Sequence, residues 1–374
     1  MMTLQPLVSD CPVIVYLDFK SPYAYLAIEP TRELERELGV QFDWRPFVLD
    51  IPSYLGSARL DKTGNVIEQS RSSEQWSGVK YAYYDCRRYA NLRTMTIRGT
   101  EKIWDTNLVA TAMLWMRNYD YATGQQFIDR IFQPFWKREF DLESSAVIQD
   151  VLEQVGADGA AFMEWARVEG AAMNAQLQAS AFSAGVFGVP TYVVGTDLYF
   201  GREHLPRIRW QLTERAGSAP DIANPLPATL PEQPQTPAKV TIGIDDSLDS
   251  LLALPELLKL MSGFSGAVNW IMVEARTPST PPAENAVSRS ALHKQWRERN
   301  RLRNLERYSS TGAGVGNYAS AIARLLQQHQ ISPTNDGPEQ VIRPAMPGVV
   351  VLWGDELFIG RQHLPLITAR MPQA

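Results

Sequence analysis

Asp18-Phe19-Lys20-Ser21-Pro22-Tyr23-Ala24-Tyr25-Leu26-Ala27 is the stretch on which the reading of this chain turns. Just ahead of it, Val13 to Phe19 is a short apolar, β-branched run of the kind that forms a buried strand. After it a helical pattern runs to Leu38. Serine is a good N-cap and proline is at home in the first helical position, so Ser21-Pro22 opens that helix. Gly39 stands where glycine ends one. Val40 to Val48 returns as a second strand, completing a strand–helix–strand unit that favours parallel strands and a right-handed crossover. A strand that runs directly into a helix presents free backbone N–H groups and the positive end of the dipole at the turn. A thiolate placed there is stabilised and its pKa falls. The Ser21 hydroxyl adds one further donor. Taken alone, Ser-Pro is a standard helix opening, and simple capping is its commoner role.

Outward from this unit, Leu49 to Gln75 is polar with Gly and Ser and reads as a loop. Helical patterns follow at Trp76 to Leu92, Glu101 to Tyr119, Gly124 to Lys137, Ser144 to Val155 and Asp158 to Ala181. They predict an all-helical block at about 76–181. Gly185 to Pro190 breaks the pattern. Thr191 to Val194 and Leu198 to Phe200 then read as a hairpin, with a last helix from about His204. Val189-Pro190 suggests a special backbone, either a cis bond or a plain strand-initiating proline. With a cis bond, the Val189 backbone could pair with an extended peptide. The turn from Phe200 to His204 puts N–H groups and the charged Arg202 and Glu203 at a helix start, suited to the carboxylate or amine of a small peptide. A capped surface helix is an equal reading.

Composition bounds the function. The chain has 374 residues, 45% apolar and 21% charged, with a net charge of −5. That length makes two domains the default. No long basic run points to nucleic acid or an anionic membrane, and Lys294 to Arg307 reads as a solvated helix. Met1 to Val15 lacks a positive start followed by an apolar run, and no segment is apolar enough to span a bilayer, so a cytoplasmic protein is expected. Cys11 and Cys86 are the only cysteines. They exclude a disulfide framework and any CxxC redox or zinc site, and the four histidines show no metal spacing. Trp104, Trp115, Trp136 and Trp165 read as core rather than a substrate box.

An internal repeat divides the chain. Asp197-Leu-Tyr-Phe-Gly-Arg-Glu-His-Leu-Pro206 is echoed by Glu356-Leu-Phe-Ile-Gly-Arg-Gln-His-Leu-Pro365. Val189-Pro190 and Met346-Pro347 lead the strands before each copy. Ala216 to Lys239 is rich in Pro and Ala and reads as an extended linker. The domains are therefore 1–215, a linker at 216–239 and a shorter second copy at 240–374. Where Ser21-Pro22 should recur, the second copy has Asp245-Asp246-Ser247-Leu248-Asp249, whose acidic groups would repel a thiolate. A structural or pocket-covering role is expected for it.

Taken in order, these elements resemble a known family. The Ser21-Pro22-Tyr23 string is similar to the N-terminal signature of 2-hydroxychromene-2-carboxylate isomerases and kappa-class glutathione transferases. These belong to the DsbA-like branch of thioredoxin folds. Arg45-Pro46-Phe47, Thr63-Gly64-Asn65, Lys80 to Asp85, Gly185 to Val194 and Phe200-Gly201 continue the resemblance over roughly 13–212. It implies an α/β, thioredoxin-like fold with an inserted all-helical subdomain, followed by a second, shorter thioredoxin-like domain. It further implies a glutathione-dependent isomerase or transferase acting on an aromatic or hydrophobic electrophile. Ser21 would stabilise the glutathione thiolate, and Val189-Pro190 would pair with the glutathione backbone. Pro22, Tyr23, Arg45, Asn65, Lys80, Arg202 and Glu203 would complete the contacts. No metal is expected; related enzymes are commonly dimers, which makes a homodimer one option, the other being that the tandem domain fills the dimer surface internally. The chain departs from the family in having Glu203-His204 where an Asp-Arg pair is usual. Two other readings stand beside this one. The first is a catalytically silent thioredoxin-like binding module. The second is a disulfide oxidoreductase by fold analogy, against which the missing cysteine pair argues.

Overall fold

The structure is a computed structural model describing residues 4–61, 63, 65–273, 288–309, 318–338 and 348–371. It divides into two compact units, Met1–Arg202 and Glu203–Ala374.

The first unit is built on β1 (Ile14–Leu17), α1 (Pro22–Leu38) and β2 (Asp43–Pro46). All four β1 side chains are buried, as its continuous apolar run requires. Gly39 closes α1 in the left-handed conformation, φ 65°, and its N–H returns to Glu35 O. β1 and β2 pair in parallel from Ile14↔Asp43 to Leu17↔Pro46. The segment Leu49 to Gln75, expected to be a loop, instead holds α2 (Pro52–Leu55) and a hairpin of β3 (Ala58–Leu60) and β4 (Val66–Gln69). Every residue of β4 is exposed, so neither face carries the apolar alternation by which a strand announces itself.

The helical block follows as α3 (Ser73–Leu92), α4 (Asn107–Trp115), α5 (Tyr121–Trp136), α6 (Ser145–Gln154), α7 (Gly159–Trp165) and α8 (Ala171–Ser183). Side-chain caps set four of these starts: Ser72, with a full capping box to Gln75, Asp120, Ser144 and Asp158. α4 begins later than the expected Glu101. A single pattern read from Asp158 to Ala181 proves to be two helices joined by a π-helical turn, Ala166–Gly170. Trp136, Phe127, Phe132 and Phe162 are fully buried here. Trp104 packs edge-on to Phe135 and Trp115 lies against Trp165. The tryptophans thus serve the packing of the block. β5 (Thr191–Val194) and β6 (Asp197–Phe200) close the sheet in the order β2-β1-β5-β6.

The second unit opens with α9 (Leu205–Leu212), tied to it by Arg207 Nη2 donating to Arg303 O at 3.0 Å. It continues with β7 (Lys239–Ile244), α10 (Leu248–Ser262), β8 (Ala267–Met272), α11 (Arg289–Ser309), α12 (Tyr318–Gln328), β9 (Val350–Trp353) and β10 (Glu356–Ile359). A final helix spans Leu364–Ala369. Its sheet order, β10-β9-β7-β8, repeats that of the first unit, with the same one parallel and two antiparallel pairings. The segment 216–239 carries no helix or strand before β7, yet it is fastened down. Ala223 N–H donates to Glu203 O, Asn224 N–H to Gln362 O, and Thr236 Oγ1 to Arg370 O. Pro347 lies outside the described residues. The register pairs Val350 with Gly243 and Ile359, so Val349, not Pro347, takes the place of Pro190. Among the described residues, no helix is long and apolar enough to cross a membrane.

Candidate active site

Ser21 caps α1. It is buried, with its backbone extended at φ −94° and ψ 116°, and its Oγ accepts the Ala24 N–H at 3.2 Å. That bond uses the oxygen's lone pair and leaves the hydroxyl hydrogen to donate. Among the described residues nothing accepts it. Pro22 stands in the first helical position, half-buried.

A buried polar knot precedes the cap. Lys20 Nζ lies 3.3 Å from Asp18 Oδ2 and donates to Thr106 Oγ1 at 3.1 Å. Thr106 donates to Asp18 Oδ1 at 2.7 Å, and Leu49 N–H reaches Asp18 Oδ2 at 2.7 Å. This places an ammonium one residue from Ser21. Sequence reasoning missed Asp18, Lys20 and Thr106 as a group. The one available signal was an acidic and a basic residue inside an otherwise apolar string.

Tyr23 sits beneath Arg202, whose guanidinium lies 5.7 Å from its ring centroid and 4.7 Å from that of Tyr89. The Tyr23 hydroxyl donates to Asp85 Oδ2 at 3.4 Å. Burial, with Cys86, Asp85 and Tyr81 adding to it, raises the phenol well above its ordinary value, so it stays protonated. Cys86 is buried and pushed up the same way. Burial and Asp43 also raise the Cys11 thiol. Both cysteines are free and neither is at the turn, so they offer no dithiol chemistry.

Val189-Pro190 is a cis peptide bond, and Gly201 N–H donates to Pro190 O at 2.9 Å. Val189 is buried, and its N–H meets no acceptor among the described residues. Ser21, Pro22, Tyr23, Val189, Pro190 and Arg202 all belong to the first unit.

The other expected contacts have settings of their own. Arg45 is buried on β2, with its guanidinium on Asp43 Oδ2 (2.5 and 3.0 Å) and on the Gln5 and Val8 carbonyls (2.5 and 2.8 Å). Its donors hold the N-terminal arm. Asn65 is exposed in the β3–β4 loop, where it donates to Asp61 and Thr63. The Thr63 hydroxyl, donating to Asp61 Oδ1 at 2.7 Å, and then the Asn65 N–H hold the Asp61 carboxyl down at about 2. Lys80 is exposed on α3. Glu203 falls in the second unit, where its carbonyl accepts Ala223 N–H. Among the described residues, no cluster of three His, Cys, Asp or Glu could hold a metal.

A cavity of about 510 Å³ in the first unit opens at the start of β1, lined by Ser9, Cys11, Trp44, Arg117 and Tyr121 among others. Ser21, at the end of β1, does not line it.

Comparison with known proteins bears on this arrangement. A 2-hydroxychromene-2-carboxylate isomerase of Sphingobium xenophagum is 28% identical over 193 residues, 51% of this chain and 92% of that protein. One of Pseudomonas sp. (strain C18) is 26% identical over 229 residues, 59% of this chain and 98% of that protein. Among solved structures, a 2-hydroxychromene-2-carboxylate isomerase matches 55% of this chain and 99% of its own at 19% identity, with a TM-score of 0.42. A putative protein disulfide isomerase from Nitrosomonas europaea covers 55% and 98% at 14% identity, with a TM-score of 0.41. The family profile of the DSBA-like thioredoxin domain matches residues 12–213, more than half of the chain. The chain belongs to the DSBA-like thioredoxin domain family.

Proposed function

We propose that the first unit binds glutathione at the Ser21 turn and uses it to isomerise, or to conjugate, an aromatic or hydrophobic electrophile. The observation that carries this reading is the Ser21 hydroxyl. It caps α1 through its oxygen and keeps its hydrogen for an acceptor placed at the helix N-terminus. The fit is supported by two further donors with nothing to bind, Val189 N–H and Arg202 Nη2. Both suit a peptide-like acid. The relatives named as isomerases support the reaction class.

Bound there, glutathione would supply a thiolate nucleophile that adds to a conjugated carbon and leaves again. The chain's own part is to favour the ionised sulfur. Ser21 donates to it, and the first-turn N–H groups of α1 and the positive dipole end lie beside it. Tyr23, kept protonated, takes no proton from the site. Asn65 and Lys80 are proposed as outlying contacts. Calorimetric titration with glutathione, and the pKa of the bound thiol in wild type and Ser21→Ala, tests the reading. No binding at millimolar glutathione would sink it.

A catalytically silent binding module is the second reading. It draws on the place of the described cavity, at the far end of β1 from Ser21. An enzyme for a hydrophobic electrophile needs such a cavity at the turn. Peptide binding that depends on Val189-Pro190 without any lowering of a thiol pKa would favour it.

A further inference from the structure

The hydrogen-bond registers put the two units in correspondence. In the first, Tyr16 faces Thr191 and Thr191 faces Phe200. In the second, Gly243 faces Val350 and Val350 faces Ile359. The helix caps agree: Ser21 Oγ accepts Ala24 N–H, and Ser247 Oγ accepts Ser250 N–H. The turns agree too, since Gly201 N–H donates to Pro190 O and Gly360 N–H to Val349 O. Tyr23 therefore corresponds to Asp249, Val189 to Gly348, and Arg202 to Arg361.

The corresponding donors meet different fates. Gly348 N–H donates to Asp245 Oδ2 at 2.8 Å, whereas Val189 N–H has no acceptor among the described residues. Arg361, 2% exposed, is ion-paired with Asp249 and, at 3.0 Å, with Asp221. Arg202 is 3% exposed and makes no ion pair among the described residues. Its guanidinium carbon lies over the Tyr23 and Tyr89 rings, and its Nη2, like that of Arg361, has no hydrogen-bond partner, so the two arginines differ in their ion pairs. Aromatic rings satisfy the face of a guanidinium, not the N–H groups along its edge. A buried cation with open edge donors is costly until an anion arrives. A carboxylate matches that planar edge with two parallel hydrogen bonds.

We propose that Arg202 is the receptor for a carboxylate on the molecule held at Ser21, and that in the second unit Asp249 fills the matching place from within the chain. The first unit is the open copy and the second the self-filled one. The glutathione reading enters only in deciding which molecule carries the carboxylate: glutathione itself or an aromatic acid beside it.

The experiment is calorimetry on the full chain with glutathione, glutathione diethyl ester and benzoate. Wild type, Arg202→Met, Tyr23→Asp and Tyr23→Asn are compared, with circular dichroism confirming the fold. Tyr23→Asp gives the first unit the carboxylate that the second already has. It is expected to bind the carboxylate probe at least about tenfold more weakly than Tyr23→Asn, and Arg202→Met to lose about as much. A loss seen with glutathione but not its diester assigns the carboxylate to glutathione. Benzoate binding with the same dependence assigns it to the aromatic acid, and holds even if glutathione does not bind. Equal affinity for glutathione and for benzoate in wild type, Tyr23→Asp and Arg202→Met overturns the inference while leaving the glutathione reading intact. No binding of any probe to wild type overturns both. If Arg202→Met does not fold, the contrast between Tyr23→Asp and Tyr23→Asn decides alone, because both keep the guanidinium.

Discussion

Lys20 Nζ lies 3.3 Å from Asp18 Oδ2, with both side chains almost wholly withdrawn from solvent immediately before the capping serine. Removing one partner of such a pair strands the other charge in a poor solvent. Lys20→Met is expected to cost about 3–5 kcal/mol, and Asp18→Asn combined with Lys20→Met to recover most of it. Urea unfolding of the two variants checks this. Equal stability of the single and double variants would show that the pair is not coupled.

Ser21 has two separable tasks. As a cap it contributes about 1 kcal/mol, which Ser21→Ala should remove. Ser21→Asp restores a capping oxygen but has no hydrogen to give and repels a thiolate. Ser21→Asp should therefore melt near wild type and still fail to lower the pKa of a bound thiol. Thermal melts paired with thiolate absorbance separate the two tasks. Recovery of the thiol pKa shift in Ser21→Asp would leave Ser21 as a cap and nothing more.

His204 gives the second unit a pH dependence. Burial, then Arg303, Arg207 and Arg361, push it from 6.5 to about 3. The folded state thus keeps the imidazole neutral while the unfolded chain protonates it below about 6.5. The unfolded state binds more protons in that interval, so stability is full above it and falls as pH drops toward 3, by at most about 1.4 kcal/mol per pH unit. His293, lowered to about 4 chiefly by burial, acts in the same direction. From pH 7 to 4 the melting temperature should fall more steeply in wild type than in His204→Phe. Parallel curves would mean that His204 takes up its proton in the fold as readily as in the unfolded chain.

Glutathione should bind one molecule per chain. In the second unit Asp245 and Asp249 occupy the donors that Val189 and Arg202 leave open in the first. The calorimetric stoichiometry reads this directly, and a value of two per chain would refute a self-filled second unit.

Much of the fold was legible because its signals are local. Ser21-Pro22 and Gly39 bracket α1, and the spacing of apolar residues marks most helices of the block. Gly185 to Pro190 announces the hairpin, and the repeated Gly-Arg-x-His-Leu-Pro string marks the duplication. The β3–β4 hairpin escaped because β4 buries nothing. Pro347 was aligned with Pro190 by residue type, while the backbone register assigns that place to Val349. Arg45 reads as a ligand contact in sequence, yet its donors go to Asp43 and to carbonyls of the N-terminal arm.

By itself the sequence determined the strand–helix–strand opening, the capped turn at Ser21, the absence of a dithiol and the existence of a second copy. These follow from residues close to one another along the chain, where caps, prolines and periodicity act. Only the tertiary structure decided which charges are satisfied. It brought Thr106 to Lys20 across 86 residues and set Arg202 over two tyrosine rings with no ion pair among the described residues. It also closed the equivalent Arg361 with Asp221 and Asp249. Identical Gly-Arg turns thus became an open site and a filled one. An ion pair depends on what folding places within a few ångströms, and no local pattern records that distance.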